Sequence, residues 1–174
     1  MDLVRIGDKV VNKSKIYRAV DKILELRSSG LAQQEVADQM GIDRAFVSKV
    51  ESMGEVRRGG RVALIGFPVK NKEELAAVAA SEGVDMVMLM TDKERWQWVR
   101  EKSGEVLLAE VMALITTAKN HDAVIFIGSD MRIRLAEAIL GAKVVGIEIG
   151  ISPIKEDKYV DPERLRSLIR GLRV

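Results

Sequence analysis

The chain has no cysteine, one histidine and three prolines in 174 residues, and only 4% of it is aromatic. Without cysteine there is no disulfide, no thiolate nucleophile and no Cys-based metal site. With His121 alone, no nucleophile–base pair and no metal-binding cluster can be assembled. Asp122 stands beside it, and a surface loop is the expected place for both. No apolar run approaches the roughly 20 residues needed to cross a bilayer, so no membrane contact is expected. The N-terminal string MDLVRIGDKVV is charged throughout and lacks the apolar centre of a secretory signal, so a cytoplasmic protein is expected. Phosphate loops are missing too: there is neither G-x-x-x-x-G-K-[ST] nor G-x-G-x-x-G, and Gly146 and Gly150 are too isolated to replace either. These absences point away from an enzyme. No catalytic residue, cofactor or metal is expected.

What is present suits one or two domains. A hydrophobic content of 47% is enough to bury a core, and charged residues make up 31%. The net charge is only +2. Residues 1–61 carry 12 Lys and Arg against 9 Asp and Glu, and the remainder 16 against 17. The small positive excess therefore lies at the N-terminal end, the direction expected for phosphate contact.

Residues 31–51, LAQQEVADQMGIDRAFVSKVE, read as two short helices joined by a tight turn. Val36, Ala37 and Met40 make the inner face of the first, and Val47 and Val50 that of the second. Gly41 stands where the first helix must stop in a left-handed conformation. Ile42 follows as an apolar plug, and Asp43 is placed to cap the next helix. A preceding helix runs from about Ser14, with Ile16, Ala19, Val20, Ile23, Leu24 and Leu26 at three- and four-residue intervals, and ends near Ser28-Ser29-Gly30. Residues 1–13 suit either a small hairpin or an extended arm.

The 31–51 string resembles the phage-repressor (Xre/Cro-like) helix-turn-helix of bacterial transcriptional regulators. Leu31, Gln33, Val36, Ala37, Gly41, Ile42, Val47, Ser48, Val50 and Glu51 carry the resemblance. The whole chain is also similar to a group of clostridial regulators with an α/β domain behind the DNA-binding head, a similarity that brings no ligand with it. The resemblance implies double-stranded DNA as partner and residues 43–53 as the recognition helix. Arg44, Ala45, Phe46 and Lys49 would face the major groove, with Gln33 and Ser48 on phosphate oxygens. Two departures stand out. Ala32 occupies the place of the usual Ser or Thr cap, and the chain reaches Arg57-Arg58-Gly59-Gly60 without two further helices. Such a minimal head calls for a homodimer.

Beyond a junction at residues 57–61 the period changes. Apolar strands are expected at 62–65, 85–90, 123–127 and 143–149, the second buried on both faces. Helices are expected between them, with box-like starts at Asn71-Lys72-Glu73-Glu74 and Thr91-Asp92-Lys93-Glu94 and a break at Ser103-Gly104. Asp161-Pro162-Glu163 opens a terminal helix. Alternating strands and helices imply a parallel sheet in a three-layer, flavodoxin-like or Rossmann-like α/β domain, for which the strand order 2-1-3-4 is expected. The expected organisation is a three-helix helix-turn-helix head, 1–58, and an α/β dimerisation or ligand-sensing domain, 59–174.

In that order a ligand crevice opens at the carboxyl ends of strands one and three. Phe67, Ser129, Asp130 and Glu148 lie there as candidate ligand-binding residues, the two carboxylates favouring a cationic or hydroxyl-rich effector. The plain alternative is that Ser129 and Asp130 only cap a helix. Of Trp96 and Trp98, which face different directions on their helix, one is expected in the core and the other is free to close over a ligand or a partner. The helix at 106–115, apolar except for Glu110, wants cover on more than one side, from neighbouring helices or from a second subunit. The expected function is a sequence-specific DNA-binding transcriptional regulator. The rival readings are a protein-interaction module with the α/β domain as scaffold, and, less supported, a nucleotide-binding or hydrolytic domain.

Overall fold

The computed structural model describes residues 2–55 and 60–173, in two compact units, Met1–Glu55 and Val56–Val174. The expected boundary between residues 58 and 59 lies outside the described residues.

In the first unit, strands β1 (Leu3–Ile6) and β2 (Lys9–Asn12) pair antiparallel, so the hairpin is the form adopted. Asn12 then caps α1 (Lys13–Ser28), its side chain accepting from Lys15 N–H. Helices α2 (Gln33–Met40) and α3 (Arg44–Gly54) follow. Gly41 has φ 65° and ψ 38°, the left-handed stop its position calls for. Ile23, Val36, Ala37, Val47 and Val50 form the buried centre, with Met40 and Ile42 packed against it. Asp43 corrects an expectation. It holds the cap position of α3, but its side chain makes no capping bond, and its carbonyl oxygen accepts from Phe46 and Val47 instead. At α2, Ala32 has no side-chain oxygen, yet the Glu35 carboxylate accepts from Ala32 N–H at 2.6 Å, the half of a capping box that alanine permits.

In the second unit β3 (Val62–Gly66), β4 (Met86–Leu89), β5 (Ala123–Gly128) and β6 (Val144–Glu148) form one parallel sheet in the order β4-β3-β5-β6. That is the expected 2-1-3-4. The helices are α4 (Lys72–Ser81), α5 (Asp92–Arg100), α6 (Gly104–Lys119), α7 (Asp130–Leu140) and α8 (Pro162–Arg173). Because strand side chains alternate, Leu64, Ile125 and Ile127 face a core closed by Leu75 of α4 and Leu165 and Ile169 of α8. Ala63, Ile65, Val124 and Phe126 face a second core, closed by Ala118 of α6 and Ile133 and Ala136 of α7. Helices thus cover both faces. Burying Leu165, Ile169 and Leu172 contributes about 2 kcal/mol each to docking α8. Thr91 and Glu94 form the full reciprocal box at α5, Ser103 caps α6, and Asp161 accepts from Glu163 N–H at the start of α8. No helix among the described residues is long and apolar enough to cross a membrane.

Four expectations change. Strand β4 lies at the sheet edge and is half-buried rather than buried on both faces, with Val87 exposed. Asn71 does not cap α4. Its amide donates to the Val160 carbonyl at 2.9 Å and accepts from Val160 N–H at 3.0 Å, pairing a main chain 89 residues away. His121 is buried, not on the surface, because its Nδ1 meets the Thr117 carbonyl at 2.8 Å and so loses little on leaving water. Neither tryptophan is in the core: Trp96 is exposed and Trp98 half-buried, since α5 buries no residue completely.

Candidate nucleic-acid interface and apolar cavity

Val47 and Val50 turn one side of α3 into the first unit's core. The same helical period leaves Arg44, Ala45, Phe46, Ser48 and Lys49 exposed. Phe46 is 46% exposed, unusual for a side chain of that apolar area unless something covers it. Among the described residues, no carboxylate pairs with Arg44 or Lys49. The helix is held from behind by a polar cluster. The Glu51 carboxylate receives the Arg27 guanidinium on one oxygen and Gln33 Nε2, at 2.7 Å, on the other. Arg27 also donates to the Leu31 carbonyl. The Arg27 bond, and after it the Gln33 bond, holds the Glu51 carboxyl below the ordinary glutamate range. One α3 residue is thereby pinned to the end of α1 and the start of α2. Gln33 is half-buried and spends one amide hydrogen on Glu51; its second remains for an outside acceptor. Chemically, this face offers two cations and an aromatic ring on a rigid helix.

Of the four residues expected to share a crevice in the second unit, Phe67 lines an apolar cavity and Ser129, Asp130 and Glu148 are not part of its lining. Ser129 is buried, its hydroxyl accepting from Arg132 N–H at 3.4 Å. Asp130 accepts from Ser152 N–H at 3.0 Å and pairs with Arg134 at 2.7 Å. Main-chain N–H groups of Ser152 and Met131 hold the Asp130 carboxyl below the ordinary aspartate range. Glu148, at the end of β6, is exposed. Phe67 borders the apolar cavity of this unit.

That cavity, of about 450 Å³, lies between one face of the sheet and helices α5, α6 and α7. Ile65, Met88 and Phe126 floor it; Trp98, Leu114 and Leu135 stand on the three helices around it. Phe67 and Phe126 meet edge to face with centroids 5.8 Å apart, and the Arg132 guanidinium lies over the Phe67 ring at 5.2 Å. Arg95 also reaches the cavity, with one nitrogen 2.6 Å from Asp92. Trp98 donates to Glu110 at 2.8 Å, so its ring is fixed. Burial first, and then the neighbouring Arg95 charge, holds the Arg132 guanidinium below the ordinary arginine value, while Asp92 acts the other way.

Arg95 and Arg132 carry no expectation from the sequence, whereas Trp98 is one of the two tryptophans of which one is free to close over a ligand or a partner. A signal was present. Arg132 shares a helical stripe with Leu135, Ala136 and Ile139, and Arg95 shares one with Trp98 and Val99. A cation at the apolar period of a helix calls for a partner. Compared with protein-family models, curated proteins and solved structures, the chain matches none of them.

Proposed function

We propose that the chain is a sequence-specific DNA-binding transcriptional regulator. Its first unit acts as a repressor-type helix-turn-helix head, and its α/β unit pairs two copies and takes up a small-molecule effector. The observation that carries this reading is that Arg44, Phe46 and Lys49 are all exposed on α3 while Val47 and Val50 of the same helix are held in the core. In a major groove, Arg44 or Lys49 donates to guanine O6 and N7, and Phe46 covers a thymine methyl. Ser48 and the second amide hydrogen of Gln33 reach phosphate oxygens and set the register.

A single short head reads a half-site, so two heads spaced about 34 Å apart give useful specificity. Leu108 and Met112 on α6 are exposed four residues apart, and Met131, Leu135 and Ile139 are exposed on α7. Such a patch suits a second copy of the chain. An effector alters DNA affinity only if it binds two arrangements of that pair unequally.

The experiment is a gel shift of the full chain on genomic fragments at moderate salt with competitor DNA. A subset of fragments should be retarded, with affinity falling steeply as salt rises. Equal, weak retardation of every fragment, or none, would favour a head that docks a protein.

A further inference from the structure

We propose that the cavity under α5, α6 and α7 binds an amphipathic monoanion: a carboxylate on an unbranched apolar tail, with Arg95 and Arg132 receiving the head group. This deepens the effector part of the reading above. It is measured on the protein without DNA, so it stands or falls separately from DNA recognition.

The cavity wall explains the tail. Its lining is aliphatic and aromatic apart from the two arginines, and at about 450 Å³ it falls within the roughly 300–1,000 Å³ typical of small-molecule sites. The arginines explain the head. Arg95 Nε and Arg132 Nη1 are both buried, and neither meets an acceptor among the described residues. A guanidinium stays protonated even when desolvated, so the site cannot shed these charges as a lysine or histidine would. Arg95 pairs with Asp92 through another nitrogen, Arg132 has no ion pair among the described residues, and a buried donor left without an acceptor is costly.

The count of charges sets the valence. The Arg95 charge acts on Arg132 here, and among the described residues Asp92 is the carboxylate that acts on both: it pairs with Arg95 and opposes the depression at Arg132. One negative charge is wanting. A cation would meet two like charges, and a purely apolar ligand would leave both nitrogens without acceptors. A phosphate dianion would overshoot the balance and put its remaining oxygens against an apolar wall. Phe67 adds a constraint on geometry. Lying under Arg132 and edge-on to Phe126, it fixes the guanidinium plane at the sheet end of the cavity, so the head group sits beside β3 and the tail runs along α6 and α7.

The test is calorimetric titration of the full-length chain with decanoate, octanoate, decanol and decyltrimethylammonium below their aggregation limits. Decanoate should saturate at one molecule per chain. Octanoate, shorter by two methylenes, should bind roughly fifteenfold more weakly, since burying each methylene is worth roughly fourfold. Decanol should bind at least about tenfold more weakly than decanoate, the worth of a hydrogen bond to a charged group. The decyl cation should not bind. Arg132→Gln should bring decanoate down to the level of decanol and leave decanol within about twofold. If Arg132→Gln fails to fold, Arg95→Gln serves, because α5 buries no residue completely. In a Trp96→Phe background, Trp98 is the only tryptophan, and its emission should shift with decanoate. Equal affinity for decanoate and decanol would overturn the proposal. So would undiminished decanoate binding in the arginine variants, binding without saturation, or no binding.

Discussion

Replacing Gly66 by alanine tests how the sheet is packed under the cavity. Gly66 ends β3 and pairs with Leu89 of β4 on one side and Ile127 of β5 on the other. A Cβ added there lies 2.9 Å from Ile127 Cβ and 3.0 Å from Leu89 Cδ2. Leu89 Cδ2 is the end of a flexible side chain and can turn away. Ile127 Cβ is bonded to the main chain of a central strand, and Ile127 is fully buried, so β5 itself must move. Overpacking of this kind costs about 1–3 kcal/mol. Reduced freedom of the unfolded chain offsets about 0.4–1 kcal/mol. The net loss is about 1–2 kcal/mol, equivalent to a fall of about 3–8 °C in the Tm of a unit this size. The assay is thermal unfolding of the full chain followed by circular dichroism, in wild type and in an Ile127→Val background. Ile127→Val removes the Cδ1 atom, 3.4 Å from the added Cβ, and keeps Ile127 Cβ, so the deficit should persist in that background. A Gly66→Ala chain melting at or above wild type would refute the reasoning.

Asn71→Ala leaves the buried N–H and carbonyl of Val160 without partners. It should cost about 2–4 kcal/mol, read as faster hydrogen exchange in α8 and a lower melting temperature. The Glu51 carboxyl is held below its ordinary 4.5 by Arg27 first and Gln33 second. Its contribution is therefore fully present above pH 4.5 and is lost as pH falls through the depressed value; wild type and Glu51→Gln should converge in acid melts of the head. Leu108→Glu with Met112→Glu places charge on the exposed face of α6. Sedimentation should show a dimer in wild type at micromolar concentration and a monomer in the variant, and an unchanged state would remove α6 from the interface.

Local chemistry was legible in the sequence, and distant pairing was not. The strand runs ending at Gly66 and Gly128, the break at Ser103, the stop at Gly41 and the box at Thr91 and Glu94 depend on neighbours a few residues away. Parallel pairing followed from the alternation of strands and helices, whereas the order 2-1-3-4 was one of several that alternation allows. Asn71 looked like a cap because only Glu74 was visible beside it; the Val160 main chain that claims its amide is remote in sequence. His121 looked exposed because Asp122 adjoins it, whereas burial depended on how the end of α6 turns under it. Ser129 and Asp130 sit on the expected edge of the sheet, but there Ser129 caps α7 and Asp130 accepts from Ser152 N–H. Arg132 and Arg95 escaped notice because a charged residue within an apolar stripe reads as a solvated interruption until the two are seen to meet over one cavity.

The central claim is that α3 reads base sequence through Arg44. Selection of bound sites from random double-stranded DNA, run in parallel on wild type and Arg44→Ala at one salt concentration, tests it most directly. The account predicts that Arg44→Ala loses about 1–3 kcal/mol at the preferred site and that preference flattens at one base pair, while Gln33→Ala weakens all sequences alike. Unchanged affinity and unchanged preference in Arg44→Ala would contradict it.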